Sequence, residues 1–131
     1  MSEGIPGAVK AASLPVLVLA YLGDAVYELR IRRHLLEQGI CKVNELHRAA
    51  VDLVRAKRQA RLCHQIESLL EPADADILRR GRNAKSGHQP PHVAVQDYRL
   101  ATGLEALIGY LYLSEQEEKL DQIFAILLES G

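Results

Sequence analysis

Two acidic residues stand inside the most apolar segments of the sequence. Asp24 is the only charged residue in the run 14–27, and Glu105 is the only one in the run 100–113. An ionised carboxylate among apolar neighbours costs on the order of several kcal/mol unless it is paired, hydrogen-bonded or bound to a cation. If the two acids converge, they could hold Mg²⁺, which needs few carboxylates and retains several waters. Such a site could activate water and stabilise a phosphoryl transition state.

A second interpretation of the two acids is structural. Each carboxylate could pair with an arginine, for example Arg99 or one from the basic segment 29–64, as buried charges commonly do. The periodicity of the sequence alone leaves both interpretations open, a cation site and two internal salt bridges.

The charge of the chain is unevenly distributed. The formal net charge is only -1, but segment 29–64 has nine basic residues against three acidic ones, and segment 79–104 has five against one. Such segments can bind polyanions even in a neutral chain, although solvated helix faces give the same pattern. We interpret the basic residues of 55–61 as a solvated face, with contact to the flank of a bound polyanion as the alternative. We expect the acids of 67–76 and 115–121 to face away from a bound polyanion.

The elements that must position these residues are helices. Apolar spacing predicts an all-α fold of about six helices, over 15–38, 44–70 with a break near Leu53, 72–82, 95–114 and 117–129. Gly39 ends the first helix, Asn44 caps the second, and 83–93 is predicted to be a loop.

The length of 131 residues and the hydrophobic content of 48% indicate a single globular domain, 1–131. We expect its core to extend over about 14–128. Gly23, Gly103 and Gly109 are predicted to permit close helix packing. The sequence has no signal-like or membrane-spanning run, and we interpret Cys41 and Cys63 as two buried free thiols. We therefore expect a cytoplasmic protein with no membrane partner.

Three sequence blocks around the two acids resemble one enzyme family. Residues 22–26 (LGDAV) resemble the signature helix of ribonuclease III, and residues 104–109 (LEALIG) resemble its second acidic helix. Residues 80–87 (RGRNAKSG) lie between them and resemble the linking loop of the family. The similarity is greatest to the short bacterial branch, Mini-ribonuclease III, and it extends over about 14–128.

The resemblance implies a homodimeric all-α endonuclease domain that cleaves double-stranded RNA with Mg²⁺ and leaves 5′ phosphates. Asp24 and Glu105 then match the catalytic, metal-binding carboxylates of the family. The short branch lacks an accessory RNA-binding domain and matures the ends of the large-subunit (23S) ribosomal RNA precursor, which we expect of this chain.

The sequence departs from full-length ribonuclease III at two further acidic positions. Ala20 stands where that family usually has Glu, and Thr102 stands where it usually has Asp. With two of four carboxylates absent, the first metal shell must contain more water or RNA oxygens, and the metal count stays open.

The basic stretch before the predicted loop supplies candidate RNA contacts. Phosphate contact is predicted for Arg82, Asn83, Lys85 and Ser86, and considered for Arg79 and Arg80. The alternative is a helix C-terminus whose cations suit its dipole.

The apolar residues of 17–26 exceed what one small helical core needs, which favours a homodimer. Two other hypotheses remain. One is a catalytically inactive dimeric helical binder of structured RNA, with Ala20 and Thr102 as signs of decay. The other is a small helical interaction protein with two buried salt bridges.

Overall fold

The regular elements of the described chain are helices. A computed structural model describes residues 8–85 and 91–129. Its helices are α1 (Ala8–Ala12), α2 (Val16–Glu37), α3 (Val43–Leu53), α4 (Ala56–Gln65), α5 (Pro72–Asn83), α6 (Val95–Leu113) and α7 (Glu117–Glu129), with a 3₁₀ turn at Glu67–Leu69. The all-α prediction is confirmed. No described helix has the length and apolar content that crossing a bilayer requires.

The predicted break near Leu53 is confirmed and separates α3 from α4. Three other boundaries need correction. The described chain has seven α-helices rather than six, because the short α1 precedes the predicted first helix. Helix α4 ends at Gln65 and does not run on to Leu70, since a 3₁₀ turn follows it. Asn44 is not a cap, since α3 begins at Val43 and Lys42 occupies the N-cap position.

Helix α6 is the centre of the fold. Nearly every residue from Leu100 to Leu111 is buried, with Thr102 and Glu105 only partly so. Helices α2, α4 and α5 pack around it. A helix that is apolar on most sides is stable only when other helices cover it, so α6 forms as part of the assembled core.

Glycines set the distances between α6 and its neighbours, as predicted. A Cβ atom on Gly23 of α2 would lie 1.7 Å from the Glu105 carbonyl oxygen, and one on Gly109 of α6 would lie 2.1 Å from the Leu19 carbonyl oxygen. A Cβ on Gly81 of α5 would lie 2.8 Å from the Gly103 Cα. Only glycine admits backbones this close, so α2 and α5 both lie against the part of α6 around Glu105.

Two side-chain predictions are wrong. Cys41 is exposed and only Cys63 is buried, although both are free thiols. Arg58 is not on a solvated face, since its side chain is only 10% exposed and donates to Asp52 and to the Leu127 carbonyl oxygen. Periodicity does not reveal that the start of α4 lies under α3 and α7.

Candidate functional site

The crossing of α2 and α6 brings the two predicted acids together. Gly23 lies against the Glu105 carbonyl, which places the next residue, Asp24, beside the same turn of α6. The Glu105 carboxyl group is within hydrogen-bond reach of Asp24. Asp24 is exposed and Glu105 is partly buried, so the pair lies where the packed interface opens to solvent.

The surroundings of Glu105 disfavour its ionised form. Burial, the charge of Asp24 and the hydrogen bond to Asp24 raise the pKa of Glu105 to about 8, with Glu28 adding to the effect. Within the described residues, no Lys, Arg or His forms an ion pair with Asp24 or Glu105. The structural interpretation, in which each acid pairs with an arginine, is therefore not what is observed.

One polar neighbour of Glu105 is not apparent from the sequence. Gln59 of α4 is buried, and its Nε2 donates to Glu105 Oε2 at 3.5 Å. Its segment is strongly basic and gives no sign that the amide points inward. Only the packing of α4 on α6 reveals this contact.

The donor set at this site fits a hydrated divalent cation. Two carboxylates lie close together without a compensating protein cation. A metal ion bound between them would relieve the repulsion between the two negative charges. Ala20 is buried, and the Thr102 hydroxyl donates to the Tyr98 carbonyl oxygen at 3.0 Å. In the described part of the chain, no three His, Cys, Asp or Glu side chains form a ligand cluster. Water or substrate oxygens would have to complete the shell.

The basic end of α5 lies next to the same region of α6. The Arg82 backbone nitrogen is 3.2 Å from where a Cβ on Gly103 would lie, two residues before Glu105. Arg82, Asn83 and Lys85 are exposed. Arg82, Asn83 and Arg99 help to line a cleft of about 410 Å³ between the end of α5 and the start of α6. Arg99, weighed from sequence as an ion-pair partner, thus lies in this basic cleft.

The other predicted RNA contacts differ from these. Arg79 pairs with Asp76 one turn earlier in α5. Arg80 is half-buried and donates to the carbonyl oxygens of Ala12 and Leu14, at 2.9 and 3.4 Å. Its guanidinium group therefore holds the segment between α1 and α2 against α5, which favours a structural role. Ser86 lies outside the described residues.

Comparisons with known proteins identify the family of the chain. The Ribonuclease III domain profile matches residues 17–116. The Mini-ribonuclease 3 of Symbiobacterium thermophilum is 47% identical over 111 residues, covering 85% of each chain. That of a Thermoanaerobacter species is 50% identical over 114 residues, covering 87% of this chain and 80% of its own. A crystal structure of a Fusobacterium nucleatum protein superposes with a TM-score of 0.83 at 32% identity, over 95% of this chain and 98% of that one.

The helical fold and the matched domain define an endoribonuclease of the ribonuclease III class. Within that class, the chain belongs to the Mini-ribonuclease III family.

Proposed function

We propose that this endoribonuclease cleaves double-stranded RNA as a Mg²⁺-dependent homodimer, leaving 5′ phosphates. The observation that carries the proposal is the meeting of Asp24 and Glu105 without a protein cation, in a chain of this family. We further propose a cytoplasmic role in maturing the ends of the 23S ribosomal RNA precursor. Its support is the similarity to Mini-ribonuclease III.

Asp24 and Glu105 would hold the metal ion. A bound divalent cation would activate a water molecule for attack and would place positive charge beside the phosphoryl group. The two carboxylates belong to different helices. The close contact of these helices at Gly23 and Gly109 keeps the carboxylates at a fixed relative position. Burial of Glu105 also keeps bulk water from weakening these electrostatic interactions.

Arg82, Asn83 and Lys85 are proposed to contact the RNA backbone, with Ser86 continuing the contact. A-form duplexes are recognised by shape and phosphate position, which cations at a helix end can match. We add Arg99, because it lines the same cleft as Arg82. With five Tyr, one Phe and no Trp, the chain has few aromatic residues for stacking on unpaired bases.

The proposed dimer contact is the apolar face of α2. Val18, Tyr21 and Leu29 are exposed there, and Tyr21 is 84% exposed. Leu22, Ala25 and Leu29 line an adjoining cavity of about 560 Å³. A large exposed apolar face next to a concave one is typical of a self-association surface. Tyr21 is one turn before Asp24, so the dimer would set the two active sites at a fixed spacing.

A cleavage assay tests the catalytic proposal. A long RNA duplex is incubated with the protein in Mg²⁺, in chelator, and with the variants Asp24→Asn and Glu105→Gln. We expect cleavage to require Mg²⁺ and to fall by at least about 100-fold in each variant, more than is typical of outer-shell substitutions. Cleavage that persists in chelator or in Asp24→Asn would contradict the proposed site.

The second candidate function is binding of structured RNA without cleavage, which the non-acidic Ala20 and Thr102 favour. The same assay separates the two candidates. Salt-sensitive RNA binding without any cleavage in Mg²⁺ would support the inactive binder. A ribosomal RNA precursor carrying the duplex formed by its ends, compared with an unrelated duplex, tests the proposed substrate through the position of the cut.

A further inference from the structure

The most unusual polar residue outside the carboxylate pair is Gln59. It is only 4% exposed, and the other buried polar or charged residue of the described chain, Asp74, is held by a lysine. Burying an amide is costly unless it has a hydrogen-bond partner, so the partner of this glutamine is informative about its role. The partner of its Nε2 group is Oε2 of Glu105.

Two successive turns of α4 are attached to α6. One turn after Gln59, the Cys63 thiol lies 3.3 Å from the Leu100 carbonyl oxygen and can donate to it. Ala60 and Leu62 of the same helix are also buried. With both contacts made, α4 has little freedom to slide along α6. The Gln59 amide is therefore fixed relative to the Glu105 carboxyl group.

The chemistry of an amide suits this position. A lysine or arginine there would cancel the negative charge of Glu105 and compete with a cation. An amide N–H instead holds one carboxylate oxygen without neutralising the group. It also restricts the rotamers of a flexible glutamate, while the carboxylate can still coordinate a metal ion.

We infer that Gln59 is a positioning residue that orients the Glu105 carboxylate for metal binding. The inference rests on the proposed function, since it assumes that Glu105 is a metal ligand. Hydrogen-bond partners of ligating groups typically contribute 10–100-fold to metal affinity. Gln59 itself does not contact the RNA or the reacting atoms.

The test is Mn²⁺ binding, measured by calorimetry on the full chain without RNA. Gln59→Met removes the amide and keeps an unbranched side chain of similar length. Gln59→Asn retains an amide but shortens its reach to Glu105, and remains informative if the first variant fails to fold. Gln65→Met changes an exposed glutamine of the same helix and is the matched control. We expect about 10–100-fold weaker Mn²⁺ binding in both Gln59 variants and no change in the control.

Further measurements separate positioning from a merely structural role. The Mg²⁺ concentration for half-maximal cleavage should rise about 10–100-fold, while RNA binding in chelator stays unchanged. Mn²⁺ affinity within twofold of the parent in a folded Gln59 variant would overturn the inference, as would a parallel loss of RNA binding. If the parent binds Mn²⁺ no better than Asp24→Asn does, the proposed metal site is wrong, and the inference is overturned with it.

Discussion

The Glu105 carboxyl group can be stabilised by either a proton or a cation. In the metal-free protein, burial and the charge of Asp24 raise its pKa to about 8, so near neutral pH the proton is favoured. A divalent cation at the proposed site would stabilise the ionised form instead. Proton and metal ion would then compete for the same group, so pH would affect both stability and metal binding.

We expect Glu105 to make the metal-free protein less stable as pH rises from about 5 to 8. The unfolded carboxyl group has the ordinary pKa of 4.5 and the folded group one of about 8, so the native state binds more protons across this range. The stabilisation is complete below the unfolded value and is lost as pH rises through the folded one. Urea unfolding in chelator at several pH values measures this effect.

Glu105→Gln provides the control for this prediction, because its amide does not titrate. The difference in unfolding free energy between parent and variant isolates the contribution of Glu105. A difference in unfolding free energy that stays constant between pH 5 and 8 would contradict the raised pKa. At fixed Mg²⁺, metal-induced stabilisation of the parent should increase over the same range.

The helices position the site through backbone contact with α6. The crossing of α2 with α6 leaves no room for a side chain at Gly23 or Gly109. The crossing of α5 with α6 depends in the same way on Gly81 and Gly103. Helix α6 is thus the common reference for both the carboxylates and the basic end of α5.

Gly109→Ala should destabilise the protein by about 3 kcal/mol. The new Cβ would lie 2.1 Å from the Leu19 carbonyl oxygen, and backbone on both sides would have to move. Gly39→Ala is the contrast: a Cβ there meets no atom within 4 Å, but the φ of +91° costs about 1 kcal/mol. Thermal or urea unfolding gives both values. Equal losses would contradict the importance of the crossing.

A buried ion pair joins α5 to α7. Lys119 Nζ donates to Asp74 Oδ2 at 2.6 Å, and Asp74 also accepts from the Glu71 backbone N–H at 3.1 Å. Burial alone lowers the pKa of Lys119, but its bonds to Asp74 and Glu71 raise it above its ordinary value. The lysine therefore stays charged, and two acids at the start of α5, Glu71 and Asp74, hold that helix against α7.

Asp74→Ala should cost about 3 kcal/mol of unfolding free energy, because it leaves the mostly buried Lys119 without its closest partner. Asp76→Ala removes an exposed pair with Arg79 on the same helix and should cost less than about 1 kcal/mol. Urea unfolding at neutral pH compares the two variants. A smaller loss for Asp74→Ala than for Asp76→Ala would contradict the buried-pair assignment.

At the scale of the whole molecule, the described residues of one copy leave an apolar face of α2 uncovered. The exposed Val18, Tyr21 and Leu29 share one side of α2, and Asp24 is exposed one turn after Tyr21 at the edge of that side. An apolar face of this kind next to a charged site is costly for a monomer. Pairing of two copies would cover it and place a second carboxylate pair along the same duplex.

Tyr21→Glu should convert the proposed dimer into a monomer, because an ionised side chain cannot be buried at the contact without a partner. Val51→Glu alters an exposed valine of α3, away from this face, and should leave the oligomeric state unchanged. Sedimentation velocity distinguishes the two states. A monomeric parent protein, or a dimeric Tyr21→Glu variant, would refute the proposed contact.

The all-α class, the approximate helix positions and the two acids followed from the sequence alone. Apolar spacing with a helical period and a charge within an apolar run are local features, and they persist in any fold that buries those runs. The glycines likewise predicted close packing. A glycine within a helix is less stable than an alanine, so its presence there indicates that a larger side chain would not fit.

Tertiary structure alone decided which partners those residues have. Whether Asp24 and Glu105 pair with arginines or with each other depends on which helices cross, and the α2–α6 crossing brings the acids together. The inward position of Gln59, the burial of Arg58 and the bonding of Arg80 to Ala12 are contacts between segments distant in sequence. Spacing along one helix specifies a face, but the physical environment of that face is set by whichever element packs on it.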